Sequence, residues 1–290
     1  MHTHKKILAA LATGFALLAI PAQAQSTITA GFNDLVLGFR ATSGTGSTLN
    51  LEVDLGSISQ FQSPSSSSFT LTRLSALDLT STYGSSWNAS GTTVTWGIVG
   101  TTGATAAGTG GVPAKTLWAT KPWDVSGATD VAGTAWNRGS TFAQQAPANA
   151  IATLFTGANA LNGATSTANS AFSAVFTAGT PNSDSTWSSL DLKTANVSFG
   201  YFNPTVDQTA DFSLAQGSYL LSDLYQITPG SGASTYLGTF GLKADGTLTF
   251  ATSSSFFTTA VPEPSTYAAI AGALALGLVV IRRRRQAAAA

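Results

Sequence analysis

Cysteine is absent from the 290 residues, and the only two histidines, His2 and His4, stand within the first four positions. Those absences exclude a Ser-His-Asp triad, a cysteine nucleophile, and any zinc or iron site built on histidine or cysteine in the body of the chain. No catalytic residue, cofactor or metal site is therefore expected, and the protein reads as a non-enzyme. Disulfides are excluded too, so the fold must rest on buried apolar area, which a body of more than two hundred residues can supply. Charge is also scarce. Between residues 25 and 260 stand seven cations and twelve anions, a net charge of −5 that the neutral whole-chain balance conceals. Nucleic acid is an unsuitable partner for such a surface, because phosphate binding needs clustered positive charge.

What is present is most specific at the two ends. Lys5 and Lys6, an apolar run from Ile7 to Ile20 and the small-residue site Pro21-Ala22-Gln23-Ala24 have the layout of a secretory signal peptide over residues 1–24. Its expected partners are the Sec translocon and signal peptidase. Near the other end, Ser265 to Ile281 is an uncharged stretch at the lower limit for a transmembrane helix, followed at once by Arg282, Arg283, Arg284 and Arg285. Arginines beside an apolar span mark its cytoplasmic flank and stop transfer. The expected topology is single-pass in the inner membrane, with the C-terminus inside and residues 25–260 outside.

Pro262, Glu263 and Pro264 precede that span. Each proline fixes its own φ, lacks an N–H and biases the residue before it toward extended geometry, so the strip cannot join a helix or sheet and is open to a processing enzyme. Residues 261–285 resemble the PEP-CTERM sorting signal: Pro-Glu-Pro, a short membrane helix and an arginine-rich end, in that order. The resemblance implies a substrate of an exosortase, a membrane-embedded cysteine transpeptidase of Gram-negative bacteria. It further implies release or transfer toward the cell surface or extracellular matrix, in company with polysaccharide and biofilm production. The phrases DLVLGFR and YLGTFGLKADGTLTF are similar to those of other PEP-CTERM proteins and carry no activity with them.

The exported body reads as strands and turns. Leu49 to Leu55 alternates apolar residues with Asn50, Glu52 and Asp54, the period of a half-buried strand. Ile28 to Phe32, Leu35 to Phe39, Val94 to Ile98 and Val197 to Tyr201 alternate similarly. Tyr219 to Ile227, Thr235 to Leu242 and Thr247 to Ala251, separated by turn residues, predict a three-stranded meander. Residues 100–187 read as a looser, partly helical insertion. One helix follows Pro147 through Ile151, Leu154, Phe155 and Ala158; a second runs through Phe172, Val175 and Phe176 with Gly179 as its stop. A further helix is expected near Ser75 to Tyr83, and a loop over Ser63 to Ser68. The fold class is all-β, an antiparallel, jelly-roll-like β-sandwich with a short helical insertion, an N-terminal signal peptide and a C-terminal transmembrane helix.

Two constellations have a chemical reading beside a plain one. Glu52 and Asp54, two apart on a strand, leave the same face roughly 7 Å apart. Such a pair serves glycoside hydrolysis when burial keeps one carboxyl protonated; the plain reading is the solvated face of an amphipathic strand, with Asn50 beside them. Trp118, Trp123 and Trp136, interleaved with Asp124, Asp130, Asn137 and Arg138, could bind sugar rings of an extracellular polysaccharide, as in a lectin-like adhesin. Their plain reading is that of core or loop anchors. The Thr-x-Thr pairs at Thr70, Thr93 and Thr247 are too isolated for a flat ice-binding array, and Asp207 and Asp211 lack the density of a calcium cage.

Overall fold

Strand β1 (Asp34–Ala41) states the rule that organises the molecule. Alternate side chains leave opposite faces of a strand, and here Leu35, Leu37, Phe39 and Ala41 enter one apolar cluster while Val36 enters another. The sheet is thus buried on both faces around its middle. The computed structural model describes residues 28–123, 135–160, 170–177, 186–188, 190, 206–258, 272, 274–276 and 282.

Nine further strands join β1: β2 (Leu49–Ser57), β3 (Ser68–Leu71), β4 (Val94–Thr101), β5 (Leu117–Pro122), β6 (Ser173–Thr177), β7 (Gln208–Thr209), β8 (Tyr219–Ile227), β9 (Thr235–Lys243) and β10 (Leu248–Ala251). All pair antiparallel in one sheet of order β3-β10-β9-β8-β5-β4-β1-β2-β6, with β7 alongside β4. Strands as far apart in that order as β2 and β10 feed the same cluster through Leu51, Val53, Leu248 and Phe250. The sheet is therefore curled around it.

Two short helices, α1 (Ser59–Gln62) and α2 (Ala76–Tyr83), fill the curl. Phe61 of α1 meets Phe69, Phe240 and Phe250 with ring centroids 5.7, 5.5 and 5.1 Å away, tilted or edge-on as aromatic quadrupoles prefer. Tyr83 of α2 donates its hydroxyl to the Phe39 carbonyl at 2.7 Å and accepts from the Leu51 N–H at 3.0 Å, so one phenol ties α2 to both β1 and β2. Burial drives the pKa of that phenol strongly upward.

The outer face is covered by α3 (Gln145–Ala160), whose Ala148, Ile151, Leu154, Phe155 and Ala158 form a stripe at helical spacing. Each large side chain in such a stripe contributes about 1.5–3 kcal/mol when fully buried. A last turn of helix, α4 (Ser255–Thr258), follows β10 and packs Phe257 against Tyr219, with centroids 4.9 Å apart.

The all-β, antiparallel expectation holds, and so do the C-terminal meander, the helix after Pro147 and the helix at 76–83. Several details are corrected. In place of two facing sheets, the described strands form one. Phe172 to Phe176 makes no helix: residues 173–177 are strand β6, paired with β2 so that Ala174 and Phe176 share the outer cluster. Residues 28–30 are not strand, and Gly31 to Asn33 turn into β1, with Asn33 at φ 73°. Part of residues 100–187 lies at the heart of the fold, since β5 runs between β4 and β8. The expected strand at Val197 to Tyr201 lies outside the described residues.

Candidate functional site

Strand alternation divides the three candidate tryptophans. Trp118 points into the curl and donates its indole N–H to Gln226 Oε1 at 3.3 Å, an oxygen that also accepts from Gln62 Nε2 at 2.6 Å. Trp123 continues past β5, its backbone N–H donating to Leu221 O at 3.1 Å, and packs on the outer face with Leu221, Ala251 and Phe257. Trp136 lies in the outer cluster, with Lys121 Nζ 5.0 Å from its ring centroid. Trp123 and Trp136 thus flank Lys121 on one face while Trp118 occupies the other. All three rings are buried, at 0, 6 and 3% exposure, so no flat indole face is offered to a sugar. Arg138 clamps the turn after β8, donating to Thr228 O and Pro229 O at 2.9 Å each.

Around Trp123 the sheet assembles polar groups that lie far apart in sequence. Lys121, Asp223 and Thr239 stand side by side on β5, β8 and β9. Asp223 Oδ1 accepts from the Trp123 indole at 2.9 Å and from Thr239 Oγ1 at 2.6 Å, and Tyr236 extends the chain through a 2.7 Å contact with Thr239. Burial raises the Asp223 pKa against the pull of those two bonds, and burial lowers that of Lys121. Only Tyr236 of this group is well exposed.

The Glu52 and Asp54 pair departs furthest from its plain reading. Asn50, Glu52 and Asp54 do share one face, but that face is covered: Asn50 and Glu52 are fully buried and Asp54 nearly so. The cover is the segment at residues 186–188. Its Trp187 N–H donates to Glu52 Oε1 at 2.7 Å, Ser188 N donates to Asn50 Oδ1 at 3.0 Å, and the Ser188 hydroxyl bonds the same oxygen. The Trp187 ring lies over Gly38 and beside Gly97; a Cβ at Gly38 would collide with the ring, and one at Gly97 would press on its edge and collide with the Val206 carbonyl. Its indole N–H donates to Asp207 Oδ1 at 3.0 Å, while Asp207 Oδ2 pairs with Arg40 at 2.7 Å.

Glu52 Oε2 and Asn50 Nδ2 find no hydrogen-bond partner among the described residues. Burial drives the Glu52 pKa well up, opposed only by the Trp187 N–H. Asp54 instead has its charge met: Arg73 donates to Oδ2 at 2.9 Å while stacking 4.3 Å over Phe172. The two carboxyls therefore sit in opposite electrostatic settings. Glu52 lies sealed beneath an indole, which gives a substrate no approach from that side.

Sequence reading missed Trp187, Asp207, Arg40 and Asp223 as members of these clusters. The signal for Trp187 was available in Gly38 and Gly97, since a glycine inside a strand marks close approach of another group. Asp207 and Asp223 gave no such sign, because their partners lie at sequence distances that only the sheet order closes.

Of the expected sorting signal, Pro262, Glu263, Pro264, Arg283, Arg284 and Arg285 lie outside the described residues. Arg282 is helical and exposed. Gly272 and residues 274–276 are helical as well; Leu274 and Leu276 are 66 and 68% exposed, and nothing lies within 4 Å of a Cβ built on Gly272. Among the described residues no helix is long and apolar enough to cross a membrane, and no three acidic, histidine or cysteine side chains converge as a metal site. No family model, curated protein or solved structure matches the chain.

Proposed function

We propose that this is a non-catalytic, β-rich surface or extracellular-matrix protein. It is exported through the Sec translocon, held briefly in the inner membrane by its tail, and sorted there by an exosortase in a polysaccharide- and biofilm-producing bacterium. The observation that carries the reading joins sequence to packing. The sheet and its cores are built within residues 28–258, whereas Leu274 and Leu276, from the run that precedes four arginines, are left uncovered by that domain. Two leucines two positions apart on one helical turn, both exposed to water, have no stabilising role in a soluble domain; in hydrocarbon they are favourable. The acidic, cysteine-free body suits a destination outside the cytoplasm without need of disulfides.

The test compares the wild-type chain with Glu263→Ala in a host carrying an exosortase and in the same host lacking it. The reading predicts tail loss and surface delivery only for the wild type with the enzyme present. Intact tails in every arm, or equal processing in every arm, overturn it.

A further inference from the structure

The outer face of β2 holds a chain segment through its own buried acid. Residues 186–188 are fastened at three points: Trp187 N–H on Glu52, Ser188 on Asn50, and the Trp187 indole on Asp207, with Gly38 and Gly97 leaving the space in which the ring lies. Of those acceptors, Asn50 carries no charge and Asp207 has a guanidinium partner, Arg40, at 2.7 Å. Glu52 differs. It is fully buried, and among the described residues its second oxygen has no partner and no ion pair reaches it.

The charges around it are matched without it. Arg40 on β1 pairs with Asp207, and Arg73 pairs with Asp54 on β2 itself. Helix α2 contributes the phenol of Tyr83, whose ionisation the Glu52 charge opposes, and the buried Asp78, which accepts from the Ser170 N–H at 3.3 Å; α3 and β6 carry no ionisable side chain. Among the described residues neither guanidinium pairs with Glu52, so its ionisation places a charge without an ion pair in a buried site.

We propose that this arrangement is a proton-controlled clasp: residues 186–188 stay docked on the sheet while Glu52 is neutral, and let go when it ionises. The step is a single proton transfer from the Glu52 carboxyl to solvent. The carboxylate then regains water only by displacing the segment that seals it. Release uncovers Gly38, Gly97 and the Arg40–Asp207 pair on the outer face and leaves the curled core untouched, because Leu51, Val53 and Leu55 face the other way. The clasp does not depend on how the tail is sorted.

Hydrogen exchange of the amides at 186–188, read by mass spectrometry on the exported chain from about pH 5 to about pH 9, tests the clasp. Rates are corrected for the intrinsic dependence of exchange on pH. Protection at Trp187 is expected to fall by up to about tenfold for each pH unit between the ordinary value of 4.5 and the raised Glu52 midpoint, and to level off above it, while the strands stay protected. Glu52→Gln keeps an acceptor for the Trp187 N–H and removes the titration, so its protection is expected to be flat. Equal loss in Glu52→Gln, flat protection in the wild type, or simultaneous loss across the strands overturns the proposal. Should Glu52→Gln not fold, a carbon-13 titration of Glu52 in the wild type decides: a midpoint at the ordinary value of 4.5 overturns the clasp, and a raised midpoint that tracks Trp187 exchange supports it.

Discussion

The indole of Trp123 donates to Asp223 Oδ1 at 2.9 Å across a hundred residues of sequence. The same oxygen takes the Thr239 hydroxyl, so one buried carboxyl organises the join of β5, β8 and β9 on the outer face. Asp223→Ala leaves the buried Trp123 indole N–H unpaired and the Thr239 hydroxyl with only Tyr236, and is expected to lower stability by about 1–3 kcal/mol. A urea titration followed by circular dichroism reads the shift in midpoint; an unchanged midpoint contradicts the role given to Asp223.

Gly38 supplies the floor beneath Trp187. In Gly38→Ala the added methyl and the indole cannot share that space, and overpacking of this kind costs about 1–3 kcal/mol. The measurable result is a lower melting temperature with a red shift in tryptophan emission. Gly44, whose Cβ would meet nothing, is no neutral control because its φ is +75°; Ser43→Ala, at an exposed position, serves that purpose.

Arg73 meets Asp54, stacks on Phe172, and through its carbonyl accepts from Ser170 Oγ at 2.7 Å. Arg73→Met keeps much of the packing and removes the charge, leaving Asp54 to a single backbone donor, Gly56 N. A loss of about 1–2 kcal/mol is expected, less than for a fully buried pair because the guanidinium side chain is about a third exposed. Thermal denaturation of the variant checks it.

Stability is expected to be greatest in weakly acidic solution. Burial raises the pKa of Asp34, Glu52 and Asp223, so the fold favours their neutral forms. The stability this confers is complete below the ordinary values of 3.8 and 4.5 and is lost as pH rises through the raised ones. Hydrogen bonds from Ser213 and Gly91 to Asp211, and from Thr247 to Asp245, lower those two pKa values. Their contribution is present above 3.8 and lost as pH falls through the lowered values. In alkali a further loss follows as Tyr225, raised to about 12 by burial, is forced to ionise. A melting temperature that climbs steadily from mild acid to neutrality contradicts this pattern.

How much of this was legible in the sequence differs by element. The meander at β8, β9 and β10 was readable because Pro229-Gly230-Ser231-Gly232 and Asp245-Gly246 punctuate clean alternation. β6 was not, since Phe172, Val175 and Phe176 satisfy a helical spacing over five residues as well as a strand's, and pairing with β2 settles the matter. The burial of Asn50, Glu52 and Asp54 was also hidden. A polar alternate face normally means solvent, and here it means a covering segment from more than 130 residues away that meets one oxygen each of Asn50 and Glu52, while Arg73 meets Asp54. The proposed sorting motif stands apart, being read as a linear signal that does not require the fold.

The proposed topology puts the β-sheet body outside the inner membrane and the arginine end in the cytoplasm. Protease added to intact spheroplasts carrying the Glu263→Ala chain, with epitopes at each end of the mature protein, measures this most directly. The account predicts digestion of the body epitope and survival of the C-terminal one; survival of the body with loss of the C-terminal epitope contradicts it.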